Sequence, residues 1–291
     1  MSIMSRLRKV LLDRQGSTTA IVFSSASRQR REIIAKDTLE NVDSVVASMP
    51  GASLDSEFVR EEDMPPLTRD DVAVPWPNYS SSQVKVINSD SFAVSVLNLA
   101  SDSRPGGGWR FTLSCTQEEA LCYSSTLYPT LKDAYYPWKN SGTGSAMGIY
   151  SPAIVVFKDD LMHDCTYLPE SERILVSVLT FAAPRRPKLT PDGLRFANHI
   201  DVDVVQAKVQ VLLRTAARHG QDTLVLGAMG CGAYGCPPGH IAEIMCATLK
   251  TEEFRGWFRR VDFAVFSRKE PNFIGADNFD IFNDVFRNVR I

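Results

Sequence analysis

Residues 202–238 read VDVVQAKVQVLLRTAARHGQDTLVLGAMGCGAYGCPP and contain a helical pattern, a strand pattern and a glycine-rich turn in direct succession. Within Val202–Arg218, apolar side chains recur every three or four residues, which predicts an amphipathic helix capped by Asp201 and closed by Gly220. The apolar run Thr223–Ala228 then predicts a buried strand. This succession of helix, strand and turn is typical of an α/β protein.

Five further strands are predicted from short runs rich in Val, Ile, Leu and Phe that are bounded by turn residues. They are Val84–Asn88, Phe92–Asn98, Ala153–Phe157, Ile174–Phe181 and Val261–Phe266. Most of these runs do not alternate apolar and polar residues, so we expect a mostly parallel sheet that helices cover on both faces. In such a sheet, ligands bind near the carboxyl ends of the strands.

The N-terminal third differs in composition from the rest of the chain. We predict that residues 1–83 form an accessory segment, helical and extended, which packs on a core domain of residues 84–291. Apolar residues at helical spacing in Arg31–Ala47 predict one amphipathic helix that ends near Pro50. Residues 51–82 contain four prolines and an acidic cluster, which favours a long irregular connection on the surface.

Composition excludes several classes of protein. The 291 residues carry 32 Lys and Arg against 34 Asp and Glu, a net charge of −2, and this balance disfavours broad binding of duplex nucleic acid. No apolar run reaches the roughly 18 residues of a membrane span. Met1–Leu12 lacks the apolar core of a secretory signal, so we expect an intracellular protein, cytoplasmic or nuclear. We also expect a monomer. The six cysteines form no CxxC pair, and we predict no metal and no cofactor.

A first glycine-rich turn reads NLASDSRPGGG over residues 98–108, and Gln117-Glu118-Glu119 follows after eight more residues. Three consecutive glycines carry no Cβ, so the backbone can approach a ligand closely and can adopt a positive φ. The residues that this pattern brings to a candidate site are Gly106, Gly107, Gly108, Glu118 and Glu119.

Glu119 has two interpretations. Thr116 and Glu119 fit the capping box S/T-x-x-E, in which the glutamate accepts a hydrogen bond from the backbone N–H of the capping residue. A carboxyl group beside a glycine turn is also placed to act as general acid in cleaving a sugar linkage of a nucleotide. The two roles are compatible, but a helix N-terminus favours the ionised carboxylate whereas a general acid must be protonated.

The second turn, residues 227–238, follows a strand and precedes a helix that we expect to begin around Pro238. Exposed backbone N–H groups and the helix dipole both favour a bound phosphate or diphosphate there. The residues predicted to hold it are Gly230, Cys231, Gly232, Ala233, Tyr234 and Gly235.

The same turn permits an alternative function. Gly230, Gly232 and Gly235 spell G-x-G-x-x-G, with Glu252 or Glu253 as the later acidic residue, so an NAD-dependent dehydrogenase is a hypothesis. That fingerprint belongs in a unit with further parallel strands after it, and only one strand is predicted beyond this turn.

The spacing of GGG, eight residues and QEE resembles the signature of the bacterial and fungal type of poly(ADP-ribose) glycohydrolase. The flanking stretches that share the resemblance are residues 98–101, 119–122, 125–128 and 227–235. A looser likeness extends from about Arg28 to the C-terminus, so the resemblance covers most of the chain.

This resemblance implies a macrodomain-like three-layer α/β/α fold around a mixed sheet that binds ADP-ribose. It implies that Glu119 protonates the leaving ribose oxygen of the O-glycosidic bond between ADP-ribose units, while Glu118 binds the ribose hydroxyls. Asn98 and Gln117 would hold the ribose side of the pocket, and Tyr234, where the family commonly has Phe, would pack on the distal ribose. The implied partners are poly(ADP-ribose) and ADP-ribosylated proteins, with ADP-ribose as the product and reversal of ADP-ribosylation, as in the DNA damage response, as the role.

An alternative from another class is a macrodomain reader that binds ADP-ribose without cleaving it, in which Glu119 is only a helix cap. In either case the residue that stacks on adenine is not defined by the motifs. Phe273 and Phe279, after the last predicted strand, are the candidates.

Overall fold

The fold comprises five helices and six strands in the part of the chain that the computed structural model describes, residues 27–68, 70–71, 93–266 and 276–290. The helices are α1 (Arg28–Ser48), α2 (Gln117–Ser124), α3 (His199–Arg218), α4 (Pro238–Leu249) and α5 (Asn278–Phe286). The strands are β1 (Glu57–Arg60), β2 (Val94–Leu99), β3 (Met147–Val156), β4 (Ile174–Phe181), β5 (Thr223–Gly227) and β6 (Arg260–Ala264). The predicted strand Val84–Asn88 lies outside the described residues.

The six strands form one mixed sheet in the order β1-β3-β4-β2-β5-β6. β4, β2, β5 and β6 are parallel neighbours, whereas β3 runs antiparallel to both β1 and β4. The predicted mixed, mostly parallel sheet is therefore confirmed. Leu99 pairs with Phe181, so β2 and β4 end level with each other at one edge of the sheet. This carboxyl edge carries the site described below.

Two apolar layers cover the sheet. One layer contains Ile34 of α1 and Leu121 of α2, which belong to the same buried cluster as Val96. The other contains α3, α4 and α5, whose apolar side chains cluster with Leu97 and Leu226. Because successive residues of a strand point to opposite faces, β2 contributes to both layers and is buried on both. The three-layer α/β/α fold that was predicted is confirmed.

The predicted surface connection over residues 51–82 is wrong at residues 57–60. These residues form β1, which pairs antiparallel with β3, and Val59 inside it is buried. A four-residue strand with Glu57 and Arg60 at its ends has no apolar run that would reveal it in the sequence. A strand from the N-terminal segment thus completes the sheet, while the division at residue 83 stays a prediction.

Two other element boundaries differ from prediction. β3 begins six residues earlier than expected, because Pro152 lies at a register shift between Ser151 and Ile154 rather than at the start of the strand. Asn198, not Asp201, caps α3, since its side-chain oxygen accepts a hydrogen bond of 3.0 Å from the backbone N–H of Ile200.

The predicted N-terminal helix is confirmed as α1, and it docks on the loop and helix that carry the site. Arg31 Nε donates to the carbonyl oxygen of Leu113 at 2.7 Å, and Thr38 Oγ1 donates to the carbonyl oxygen of Tyr123 at 2.9 Å. Across the described ranges, no helix combines the length and apolar character that crossing a membrane requires.

Candidate active site

Glu118 lies buried at the carboxyl end of β2. Its Oε2 accepts a hydrogen bond of 2.8 Å from the backbone N–H of Ser101, and its Oε1 accepts one of 3.3 Å from Asn98 Nδ2. Burial raises the pKa of Glu118 to about 8, and the charge of Glu119 adds to the rise, although the Ser101 hydrogen bond opposes it. Glu118 therefore holds a proton at neutral pH in the free protein.

Glu119 is buried beside it and closes the start of α2. Its Oε1 accepts a hydrogen bond of 2.8 Å from the backbone N–H of Gly108, and its Oε2 accepts one of 3.0 Å from the N–H of Thr116. The Thr116 hydroxyl also donates to Oε2. The predicted capping box is confirmed. Through Gly108, the same carboxyl group also fixes the glycine-rich turn against the helix.

The first turn needs glycine because neighbouring side chains of the protein leave no room for a Cβ atom. A Cβ on Gly107 would lie 2.8 Å from Glu118 Oε2 and 2.8 Å from Glu119 Oε1, and this residue has φ +57°. The two carboxylate oxygens are thus no more than twice that distance apart. A Cβ on Gly106, which has φ +61°, would lie 2.9 Å from the Tyr128 ring. The turn packs closely over the carboxyl pair because side chains are absent from it.

Asn98 and Gln117 have different roles at the end of β2. Gln117 Oε1 accepts from the Leu99 N–H at 2.8 Å, and its Nε2 donates to the Leu97 carbonyl at 2.8 Å. Both ends of this side chain thus bind α2 to the β2 backbone. Asn98 is fully buried, and its Oδ1 accepts no hydrogen bond from the described residues. That oxygen can therefore accept a hydrogen bond from a hydroxyl group of a ligand.

The second turn contains a run of open backbone donors. The N–H groups of Cys231 and Gly235 donate within the turn, to Ala228 and Gly232 carbonyls at 3.1 and 3.0 Å. In the described portion of the chain, the intervening N–H groups of Gly232, Ala233 and Tyr234 donate to no acceptor. Successive free amides of this kind bind anions, and α4 begins close by at Pro238, as predicted.

A cluster of Asp102, Arg185 and Tyr234 joins the two glycine-rich turns. Asp102 Oδ1 accepts hydrogen bonds of 2.7 Å from Arg185 Nη2 and 2.7 Å from the Tyr234 hydroxyl, while Arg185 Nη2 also donates to Ser103 Oγ at 2.9 Å. Burial of Asp102 opposes ionisation, but these hydrogen bonds hold its pKa below the usual range. The Tyr234 hydroxyl therefore has a hydrogen-bond partner within this protein.

Removing that hydroxyl should loosen the contact between the turns. We expect Tyr234→Phe to raise KM for a nucleotide substrate about three- to tenfold and to lower the thermal stability by about 1 kcal/mol. Tyr167→Phe is the matched control, because Tyr167 also donates to an aspartate, Asp37 Oδ2 at 2.9 Å, and neither residue belongs to this cluster. Steady-state kinetics and thermal unfolding of both variants test this. Equal changes of KM in the two would contradict a role for the cluster in binding.

The raised pKa of Glu118 makes the stability of the free protein depend on pH. Between the ordinary value of 4.5 and about 8, the folded protein holds a proton that the unfolded chain has released. The resulting stabilisation is complete below about pH 4.5 and is lost as the pH rises through about 8. Replacing Glu118 by Gln should remove this dependence, so the variant gains on the order of 4 kcal/mol relative to wild type between about pH 5 and 9.

Denaturant unfolding across this pH range measures the effect. The exposed Glu62→Gln provides the control, since its carboxyl group lies at the surface. Parallel stability curves for wild type and Glu118→Gln would show that Glu118 does not bind this proton.

The dehydrogenase alternative has no support from the surroundings of its acidic residue. Glu253 Oε1 accepts from Arg214 Nε at 2.6 Å and from the Leu67 N–H at 3.0 Å, so its carboxylate is engaged inside the protein. It precedes β6, and β6 is an edge strand of the sheet. The fingerprint requires the acidic residue at the end of the strand that follows the turn.

Three residues near the site carried no clear signal in the sequence. Asp102 and Arg185 are 83 positions apart, and Tyr136 lies in the irregular segment before β3. The Tyr136 hydroxyl is buried without a hydrogen-bond partner among the described residues. Of the adenine-stacking candidates, Phe279 is exposed at the start of α5, whereas Phe273 lies outside the described residues.

The fold and the position of the site together define a macrodomain-like α/β/α protein with a paired-carboxyl site at the carboxyl end of its central strand. The family model "Microbial-type PARG, catalytic domain" matches residues 68–159, which include the first glycine-rich turn and α2. This match covers about a third of the chain and agrees with the predicted resemblance to the microbial-type poly(ADP-ribose) glycohydrolases. A search among curated proteins gives no match.

Similar solved structures include two poly(ADP-ribose) glycohydrolases. Poly(ADP-ribose) glycohydrolase from Thermomonospora curvata bound to the inhibitor ADP-HPD is 26% identical, with a TM-score of 0.66 over 88% of this chain and 99% of that one. The enzyme from Deinococcus radiodurans in complex with ADP-ribose is 27% identical, with a TM-score of 0.56 over 70% of this chain and 79% of that one.

Proposed function

We propose that the protein is a poly(ADP-ribose) glycohydrolase, which hydrolyses the ribose–ribose O-glycosidic bonds of poly(ADP-ribose) and releases ADP-ribose. The observation that carries this proposal is the buried pair Glu118 and Glu119, held against the glycine-rich turn at the carboxyl edge of the sheet. The match of residues 68–159 to the microbial-type catalytic domain, and the similarity to a solved poly(ADP-ribose) glycohydrolase, support the same substrate class.

The substrate is proposed to lie along this edge. Its diphosphate would accept hydrogen bonds from the free N–H groups of Gly232, Ala233 and Tyr234 on β5's turn. The distal ribose would then lie over the end of the neighbouring strand β2. There Asn98 Oδ1 would accept a hydrogen bond from one ribose hydroxyl, and Glu118 would form a hydrogen bond with the other ribose hydroxyl.

In the proposed reaction, Glu119 donates a proton to the leaving ribose oxygen as the bond from that oxygen to the anomeric carbon breaks. The developing positive charge on the sugar is stabilised by the nearby diphosphate. Water attacks the anomeric carbon, and its proton returns to Glu119, which restores the acid. The products are ADP-ribose and a polymer shortened at this bond.

The proton that Glu119 needs is proposed to come from the carboxyl pair. In the free protein Glu119 accepts hydrogen bonds at both oxygens, an arrangement suited to a carboxylate, whereas the raised pKa of Glu118 keeps that neighbour protonated. Glu118 is therefore the proposed source of this proton. A bound diphosphate adds negative charge near it, which favours the protonated form of Glu118.

The reader alternative is favoured by one observation, the helix cap that Glu119 forms with Thr116. Incubating the purified protein with labelled polymer distinguishes the two functions. We expect ADP-ribose to be released with multiple turnovers. Tight binding of polymer without any release of ADP-ribose would contradict the glycohydrolase function and favour a reader that binds ADP-ribose without cleaving it.

We also propose that the protein acts as an intracellular monomer, cytoplasmic or nuclear, on ADP-ribosylated proteins. The near-neutral charge of −2 supports local recognition of the polymer rather than binding of duplex nucleic acid. Analytical ultracentrifugation of the purified protein tests whether it is a monomer.

A further inference from the structure

A cavity opens at the same edge of the sheet as the carboxyl pair. It has a volume of about 490 Å³, which is within the range of small-molecule sites, and three of its seven lining residues are aromatic. Phe58, Arg60, Tyr135, Trp138 and Met147 contribute to its lining.

The sheet register fixes where this cavity lies relative to the site. Arg60 at the end of β1 pairs with Met147 at the start of β3, and the next residue of β3, Gly148, pairs with Phe181 at the end of β4. These positions share the carboxyl edge with Asn98. Since strands are about 4.8 Å apart, β3 and β1 lie roughly 10 and 14 Å from β2. The diphosphate turn follows β5, on the opposite side of β2.

The segment that contains Tyr136 and Trp138 connects the cavity to the first glycine-rich turn. The Tyr136 and Trp138 rings are in tilted contact, with centroids 4.6 Å apart and an interplanar angle of 38°, and the backbone N–H of Trp138 donates to the Asp102 carbonyl at 3.0 Å. The buried hydroxyl of Tyr136 has no partner among the described residues, nor has Trp138 Nε1. Burial raises the pKa of Tyr136, and the charge of Glu118 adds to the rise.

The cavity combines aromatic faces with positive charge. The Phe58 and Tyr135 rings are stacked at 5.5 Å with an interplanar angle of 28°. The Arg60 guanidinium lies 4.9 Å from the centre of the Phe58 ring, and Lys132 Nζ lies 5.7 Å from that of Tyr135. Aromatic side chains flanked by cations are the combination that binds a nucleobase together with its phosphate.

We propose that this cavity is a second nucleoside subsite, which binds the adenosine of the unit that leaves when the glycosidic bond is cleaved. This inference rests on the proposed function. The ADP-ribose that is released extends from the carboxyl pair toward β5, so the rest of the polymer must continue toward β4, β3 and β1. The leaving oxygen belongs to a ribose that carries adenine, and the aromatic cavity lies on that side with Arg60 and Lys132 beside it for the attached phosphates.

Two substrates separate this subsite from the catalytic site. Poly(ADP-ribose) presents adenosine as the leaving group, whereas ADP-ribose with a nitrophenyl group on the anomeric carbon presents a leaving group without purine or phosphate. For Tyr135→Ala and for Arg60→Ala, we expect the ratio of kcat/KM for polymer to kcat/KM for the nitrophenyl substrate to fall about tenfold. Arg60 is half-exposed, so the second variant tests the subsite even where Tyr135→Ala is unstable.

Tyr167→Ala and Arg255→Ala are the matched controls, because both are exposed side chains outside the cavity. They should leave the ratio unchanged. An unchanged ratio in both cavity variants would overturn the subsite while leaving the glycohydrolase intact. If the wild-type protein cleaved neither substrate, the proposed function itself would fail, and the subsite with it.

Discussion

Replacing Glu119 by Gln should lower kcat on poly(ADP-ribose) by about 10²–10⁴-fold, the range typical for loss of a general acid. The amide has nearly the same shape and keeps one acceptor oxygen for the Gly108 N–H, which Glu119 Oε1 binds at 2.8 Å. The turn should therefore stay in place. We expect the Kd for ADP-ribose to change less than about threefold, as measured by calorimetry alongside the turnover assay.

A matched control separates loss of the acid from loss of a helix cap. Asn198 caps α3 through a hydrogen bond of 3.0 Å to the Ile200 N–H, and it lies outside the carboxyl pair. Asn198→Ala should lower stability by about 1 kcal/mol and keep full activity. Full activity of Glu119→Gln would reject Glu119 as the acid. An equal loss in both variants would assign the effect to the cap.

The residues of the catalytic pair could be predicted because local sequence constrains them. A strand, three glycines and an acidic helix start, within 22 residues of chain, must fold close together, and the structure brings Asn98, Glu118 and Gly107 to the end of β2. Helix capping by Glu119 follows from a spacing of three residues and was predicted for the same reason.

Contacts between distant segments could not be predicted in this way. The Asp102–Tyr234 hydrogen bond spans 132 positions, and it depends on how the loops after β2 and β5 approach each other in the folded sheet. Likewise β1 pairs with β3 across about 90 residues, although its four residues have no apolar run. Periodicity reports which face of an element is buried, but it does not report the partner across the fold.

Gly107→Ala should reduce activity about 10²-fold or more, the second-largest effect that we expect. The added Cβ would meet Glu118 Oε2 and Glu119 Oε1 at 2.8 Å each, closer than real Cβ contacts. Neither oxygen can move freely, because backbone N–H groups of Ser101 and Gly108 bind them at 2.8 Å. Displacing a catalytic group by about 1 Å is enough to cost two orders of magnitude. Turnover of polymer by the variant measures the loss.

Gly256→Ala distinguishes this clash from simple backbone strain. Gly256 has φ +83°, comparable to the +57° of Gly107, but a Cβ there would meet no atom within 4 Å. It also precedes β6, at the opposite edge of the sheet from the carboxyl pair. Both variants should lose about 1 kcal/mol of stability from the left-handed conformation, whereas only Gly107→Ala should lose activity. If the two variants kept the same turnover, the close packing of the turn on the carboxyl pair would not matter for catalysis, because the positive φ alone is common to both.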